Sequence, residues 1–538
     1  MNEVALPREK SVGSPGANQR QKQAHHQGRH ATTTTPPSSG DATMTMFEEN
    51  EEMIDEETEK INLERKAIFD AVVKVYAVHT EPNYSLPWQR KRQMPSTSTG
   101  FVIEGNRVIT NAHSVEWNTQ VKLKKRGSDV KYLAKVLAIG VECDLALLAV
   151  DDERFFDNLV PLKFASNLPK LQDAVTVVGY PIGGVAISVT SGVVSRVECT
   201  TYAHGATELL SLQIDAAINS GNSGGPAFNA KGEVCGVAFQ SLKHEDAENI
   251  GYVIPTPVIS HFVRDFEVNK KYTGFPALGC DFQRLENKDL KRSKKLAEDE
   301  SGVLLRKIEK ISNSTKAGLK TGDVLKQFDG VAVASDGTVP FRAGERISFS
   351  HLVSKKFVGE VAKIDILRDG KPMSFEVTMQ RKKKIVPFHM EGKTPEYFIC
   401  AGVVFTTVSC PYLKSEYGKD YEYDAPVNLL SRMLLKDMSQ ENEELVLVSQ
   451  VLAHEVNVGY EDFANLAVEK FNGVQIKNLK QLVELVEQCQ TKHTEEFLTF
   501  ELDMKTLIVL DRKKATKSTQ EILEMHAIPS AKNLRGEK

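Results

Sequence analysis

Gly221-Asn222-Ser223-Gly224-Gly225-Pro226 sets a serine in a bare, glycine-rich turn. Such a turn lets a hydroxyl stand clear of its neighbours and lets the N–H groups of Gly221 and Ser223, with Asn222 between them, converge on one point as an oxyanion hole. An ordinary loop between two strands fits the same letters. A nucleophilic serine needs a base in reach, and the base needs a carboxylate to fix its tautomer, so the decision rests on the rest of the chain.

The base comes from thirteen histidines. His113 follows the apolar run Val108-Ile109-Thr110-Asn111-Ala112, which places it at the lip of a β domain. Asp144 opens the apolar run Leu145-Ala146-Leu147-Leu148. A carboxylate there is partly buried and needs a partner; a turn cap or an imidazole N–H would serve. The chain order His113, Asp144, Ser223 is that of chymotrypsin-like proteases, with His and Asp on one barrel and Ser on a second.

The surrounding sequence agrees with a mainly β fold. From Ala71 to Ile254 short β-type runs alternate with turn residues, the pattern of antiparallel barrels or a sandwich. Val258 to Phe266, with Pro257 as its start signal, reads as a closing helix. A block from 272 to 385 carries Ala317-Gly318-Leu319-Lys320-Thr321-Gly322-Asp323 and Phe328-Asp329-Gly330-Val331. A block from 394 to 512 repeats the Phe-x-Gly-Val turn as Phe471-Asn472-Gly473-Val474, and its Gly402 echoes Gly279 at a longer interval. This is a duplicated module with insertions in the second copy.

Composition bounds the rest. At 538 residues the chain is too long for one domain, and three or four are expected. Its 41% hydrophobic content supplies real cores, and its net charge of −4 demands neither a nucleic-acid nor a membrane partner. The basic runs Lys124-Lys125-Arg126 and Arg381 to Lys384 read as solvated strand ends or linkers, or as an import signal or an acidic partner's site. Seven cysteines without a C-x-x-C pair or metal-type spacing fit a reducing compartment. Cys143 reads as a buried, inert thiol. The cysteine spacing leads to no expected metal, no cofactor is expected, and no nucleotide-driven step is, since no phosphate-loop motif appears. The first thirty residues hold no apolar signal core, and Pro181 and Gly183-Gly184 split the uncharged stretch Ala174 to Ser195, so a soluble chain is expected. Residues 1–46 read as a disordered tail whose charge permits, without strongly indicating, an organelle transit peptide. Residues 47–269 read as the serine domain with a leading helix, 270–385 and 386–530 as the two modules, and 531–538 as a short tail.

The segments TNAHSV, DLALL, GNSGGPAF and IGYVIP resemble the HtrA/Deg serine proteases, AGLKTGDVL with FDGV resembles that family's first PDZ domain, and the third block resembles the divergent second PDZ domain of plant Deg proteases. The resemblance spans about residues 66 to 530. LDRKKATKSTQEIL and KLKKRGSDVKYLAKVLAIG look most like the nuclear or nucleolar type, implying nucleus, nucleolus or cytosol, with chloroplast or mitochondrion as the alternative. It further implies an ATP-independent endopeptidase of unfolded or selected proteins, or a catalytically silent chaperone or scaffold, built as a trimer-based homo-oligomer with gated activity. Ser223 is then nucleophile, His113 base, Asp144 its support. Ile218 lines the S1 pocket or sits in the core. Leu278, Gly279 and Cys280 hold a peptide carboxylate in the first module, as Ala401 to Val404 would in the second. Many family members carry proline where this chain has Ser220, so its turn is expected to be more adaptable.

Overall fold

The computed structural model describes residues 63, 65–244, 247–492 and 495–534. The expected tail and most of the leading helix lie outside them; residues 65–70 are helical.

Two closed six-stranded antiparallel barrels form the serine domain. Around the first run Val72–His79, Met94–Ile103, Arg107–Thr110, Leu145–Ala149, Lys131–Gly140 and Asn118–Lys124. Around the second run Pro226–Phe228, Val234–His244, Ala247–Pro255, Glu208–Ile214, Ser188–Thr201 and Ala174–Gly179. Closure leaves no unpaired strand edge. The strands are short because turn residues punctuate them, and their inward β-branched and aliphatic residues, such as Val72, Val75, Ile109 and Leu147, are fully buried. The closing helix, Thr256–Asn269, has Pro257 in its first turn, where a missing N–H costs nothing. It ends on Lys270 in the left-handed region.

The two modules behind the barrels are α+β domains of PDZ type. In the first, the sheet order is Cys280–Arg284, Val303–Ile308, Val324–Phe328, Val361–Arg368 and Lys371–Thr378, with Val331–Ala332 beside the third. Cys280–Arg284 is an edge strand. One apolar cluster runs from the first barrel through Phe262 and Phe275 into Val303, Leu305 and Ile364, and His261 is sandwiched between Phe275 and Phe357 at ring separations of 4.2 and 4.1 Å. The closing helix thus welds the first module to the serine domain.

The second module follows the sheet order Leu507–Asp511, Phe497–Leu502, Leu466–Phe471, Val446–Val451, Val403–Thr407, Tyr397–Cys400 and Lys532–Asn533. Its expected insertion is helical: Cys410–Tyr417, Tyr421–Asp424 and Val427–Leu435 fall between the strands Val403–Thr407 and Val446–Val451. These helices build a separate apolar cluster with Tyr84 of the first barrel and with Ile385, Val386 and Met390 of the inter-module linker. Ser85 Oγ meets Ser415 Oγ at 2.7 Å, and Gln450 donates to the Ser85 carbonyl at 3.0 Å. The insertion therefore clasps a loop of the first barrel.

The Ala317-to-Asp323 motif has a structural role. Asp323 is 1% exposed. It receives two bonds from Arg368, both at 2.7 Å, and caps the turn through the Lys320 N–H at 2.8 Å. Removing one member of such a pair leaves the other's charge uncompensated. Asp323→Ala should cost the first module about 3 kcal/mol, read as earlier thermal unfolding and faster tryptic cleavage after Arg368 in the full chain. Unchanged cleavage there would show that the pair carries no stability.

Candidate active site

Register brings the histidine and the aspartate together. Strand Arg107–Thr110 pairs with Leu145–Ala149, with Thr110 opposite Ala146, so continuing the ladder puts Asp144 opposite Ala112. There the Asp144 backbone turns left-handed, φ 52°, a conformation that aspartate tolerates better than most residues. Asn111 Nδ2 donates to its carbonyl at 2.8 Å. The buried carboxylate is filled from one residue: the His113 N–H reaches Oδ1 at 3.0 Å and His113 Nδ1 reaches Oδ2 at 2.7 Å. The side chain of Asp144 is 2% exposed and that of His113 36%. Such an anchor assigns the Nδ1 proton to the aspartate side and leaves Nε2 facing the cleft as an acceptor.

Ser223 comes from the second barrel, in the turn leading into Pro226–Phe228. Its turn is tied to the first barrel by Thr99, which is fully buried. Thr99 Oγ1 donates to the Gly221 carbonyl at 2.7 Å and accepts the Tyr180 N–H at 2.8 Å. The Thr99 N–H donates to the Ser223 carbonyl at 3.0 Å, and its own carbonyl takes the Thr110 hydroxyl at 2.7 Å. Gly224 allows this close approach: a Cβ there would lie 2.1 Å from the Thr99 carbonyl oxygen. Thr99 carried no sequence signal beyond its place in a strand.

The Ser220 carbonyl accepts the Ile182 N–H at 2.9 Å. That turns the N–H of the same peptide, Gly221's, the opposite way, and Gly221 holds φ 100° with its Cα against Tyr180 and Ile182. The adaptable Ser220 turn is thus held by the 181–187 loop. Among the described residues the N–H groups of Gly221 and Ser223 donate to no protein acceptor, whereas Asn222 spends its N–H on the Asn219 carbonyl at 3.0 Å. The Asn222 side chain is wholly buried, with neither polar atom hydrogen-bonded. Two donors, rather than three, are therefore free to face a ligand. Among the described residues no hydrogen bond joins Ser223 Oγ to His113, a looseness common in sites without substrate. Ile218 is 7% exposed and packs in the second barrel's core cluster, its side chain against Gly251.

In the first module the Leu278 carbonyl accepts the Ser314 hydroxyl and the Gly279 carbonyl accepts the Glu309 N–H at 2.9 Å. The loop's carbonyls are thereby turned inward. The strand it enters keeps its outer edge open. In the second module the corresponding strand, Val403–Thr407, is paired on both sides, because Tyr397–Cys400 folds back on it through the two-residue turn Ala401-Gly402, both at positive φ.

The basic runs meet acids of the same chain. Arg381 bonds Glu142 at 2.7 Å and Glu391 at 2.6 Å, Lys382 lies 3.2 Å from Glu309, and Arg126 lies 3.1 Å from Asp70. Cys143 is buried, and burial pushes its thiol well up, consistent with an inert role.

Residues 98–237 match the family model of a trypsin-like peptidase domain, and 276–379 and 386–533 each match a PDZ-domain model. The chain is 48% identical over 479 residues to Protease Do-like 2, chloroplastic, of Arabidopsis thaliana, covering 89% of this chain and 77% of that protein. It belongs to the Do-like, or HtrA/Deg, family of serine endopeptidases. Protease Do-like 4, mitochondrial, and Putative protease Do-like 3, mitochondrial, of the same plant are each 42% identical, over 86% of this chain and 84% and 79% of theirs. These relatives correct the expected nuclear or nucleolar kinship and the nuclear or cytosolic placement drawn from it. The stretches behind that expectation are fold, not address: Asn118–Lys124 and Lys131–Gly140 are a barrel hairpin, and Arg512–Met525 is a helix whose Ala515, Ile522 and Leu523 are buried in the second module.

Thr99→Val keeps the shape but strands the Gly221 carbonyl and the Tyr180 N–H. At about 1–3 kcal/mol for a buried unpaired group, peptidase kcat/KM should fall roughly 10- to 100-fold, while circular dichroism stays native. Wild-type turnover in this variant would remove Thr99 from the site's support.

Proposed function

We propose that Ser223, His113 and Asp144 act as the catalytic triad of an ATP-independent endopeptidase of unfolded or selected proteins. The observation that carries the assignment is the double grip of Asp144 on His113, through the backbone N–H and Nδ1. Ser223 Oγ attacks the scissile carbonyl while His113 Nε2 takes its proton. The tetrahedral oxyanion accepts from the N–H groups of Gly221 and Ser223. His113 then returns the proton to the leaving amine, leaving an acyl-serine that water, deprotonated by the same imidazole, hydrolyses. Loss of one oxyanion donor typically costs ~10²–10³ in turnover. Ile218 as an aliphatic S1 wall suits cleavage after small or medium apolar residues. The missing Ser223–His113 bond supports a second reading, a chaperone or scaffold whose triad stays idle.

The first module is the peptide-binding one in this proposal. A C-terminal segment adds as a strand to the open edge of Cys280–Arg284, its carboxylate at Leu278-Gly279-Cys280. The second module's matching edge is taken by its own chain, which leaves it for assembly. The family resemblance supports homo-oligomers built on trimers, and the relatives' names support a chloroplast or mitochondrion, testable by imaging a tagged chain.

Casein incubated with the wild type should be cut, and Ser223→Ala should leave it intact; equal loss of casein with both would sink the triad, and no cutting by either under heat or reducing activation would favour the scaffold. A C-terminal decapeptide with an apolar last residue should slow amide exchange of 281–284 in the full chain and leave 403–407 unchanged. Protection confined to 403–407 would reverse the roles of the modules.

A further inference from the structure

Beside the triad, three residues far apart in sequence converge: Glu116, His204 and His389. Glu116 lies on the loop just after His113, His204 on the second-barrel loop between Ser188–Thr201 and Glu208–Ile214, and His389 on the linker between the two modules. One ligand-type atom from each lies within 4.8 Å of the others. The rings of His204 and His389 are 5.2 Å apart, and that of His204 is 5.9 Å from the ring of His113. All three residues are half-buried. His204 Nε2 is buried and stands 3.1 Å from Glu116 Oε2, in an ion-pair contact whose hydrogen-bond geometry is poor. A nitrogen held so close to a carboxylate, but not pointed along a hydrogen bond to it, suits a shared third atom between them.

We infer that Glu116, His204 and His389 form a site for a divalent transition metal of the zinc class. Two imidazoles and a carboxylate are a borderline-soft donor set of the kind that zinc takes, with a fourth position left for water. Zinc bonds of about 2.0–2.2 Å place tetrahedral donors roughly 3.3–3.5 Å apart; the Glu116–His204 pair, at 3.1 Å, is already near that spacing, and all three groups lie within 4.8 Å of one another. The expectation of no metal rested on spacing within the sequence, and spacing does not reveal ligands from two barrels and a linker. Occupancy would tie those three segments together next to His113 and hold the linker against the cleft, so metal would slow substrate entry.

Cobalt(II) added to the full-length Ser223→Ala protein, with its thiols alkylated, reports on this directly. One cobalt per chain with visible tetrahedral bands is expected, bound at least about tenfold more weakly in both His389→Asn and Glu116→Gln. His389→Asn alters a half-buried linker residue and Glu116→Gln keeps the side chain's shape, so the fold is preserved in at least one. In the catalytically intact protein, zinc should slow casein cleavage several-fold, and His389→Asn should relieve it. No tetrahedral band in the parent protein, or bands unchanged in both variants, overturns the site.

Discussion

Thr99 is the constraint on which the rest of the active site depends. A two-barrel protease carries its nucleophile on one barrel and its base on the other, so the register between barrels has to be fixed within about half an ångström. Here one buried threonine does this with four hydrogen bonds. Its hydroxyl and N–H hold the two ends of the serine turn, at Gly221 and Ser223. Its carbonyl takes Thr110, three residues before His113. Every polar atom of Thr99 is thus used, and the residue is fully buried, which is why the loss of one hydroxyl should be felt at the reacting atoms.

The fold was legible where physical periodicity writes it into the chain. The short β runs, the proline at the head of the closing helix and the duplicated Phe-x-Gly-Val turn all lie where the structure has barrels, helix and modules. His113 and Asp144 were legible because each carries a local anomaly: a histidine at a strand's end and a carboxylate opening an apolar run. Thr99 was not, since a threonine in a strand is what β propensity favours anyway. Nor was the fate of the Asn222 amide, because the direction of a single peptide is decided by the Asn219 carbonyl and the 181–187 loop rather than by composition. The subtype and compartment were misread because the two stretches whose resemblance suggested them are a barrel hairpin and a packed helix, shaped by the fold rather than by destination.

The two modules share a plan and, besides the helical insertion, differ in the use of one strand edge. In the first, the segment before Gly279 pairs away with Gln380–Arg381, and the strand after it keeps a free edge. In the second, the segment before Gly402 turns back through two residues of positive φ and fills that edge itself. The helix Leu479–Lys492, which would wall a peptide groove, contacts both Tyr397–Cys400 and Val403–Thr407, so the second module's own strand sits where a ligand strand would. Duplication thus gave one module with an empty seat and one that seats itself.

The linker between the modules reaches the loops that present Asp144 and His113, the first directly and the second by way of His204. Arg381, at its start, grips Glu142, two residues from Asp144, and Glu142 also accepts the Tyr272 hydroxyl at 2.8 Å and the Phe275 N–H at 3.1 Å. His389, further along, packs its ring at a tilt against that of His204, which in turn meets Glu116, three residues from His113. Ion pairs and ring contacts thus join the linker to the aspartate loop and the histidine loop a few residues from His113 and Asp144, outside the barrel cores. The close-packed barrels resist deformation, whereas these contacts are made by a few side chains on loops. Peptide at the first module's open edge and metal at the linker would act on the same short lever, and the site whose serine and histidine stand unbonded at rest is the one that such a lever is placed to adjust.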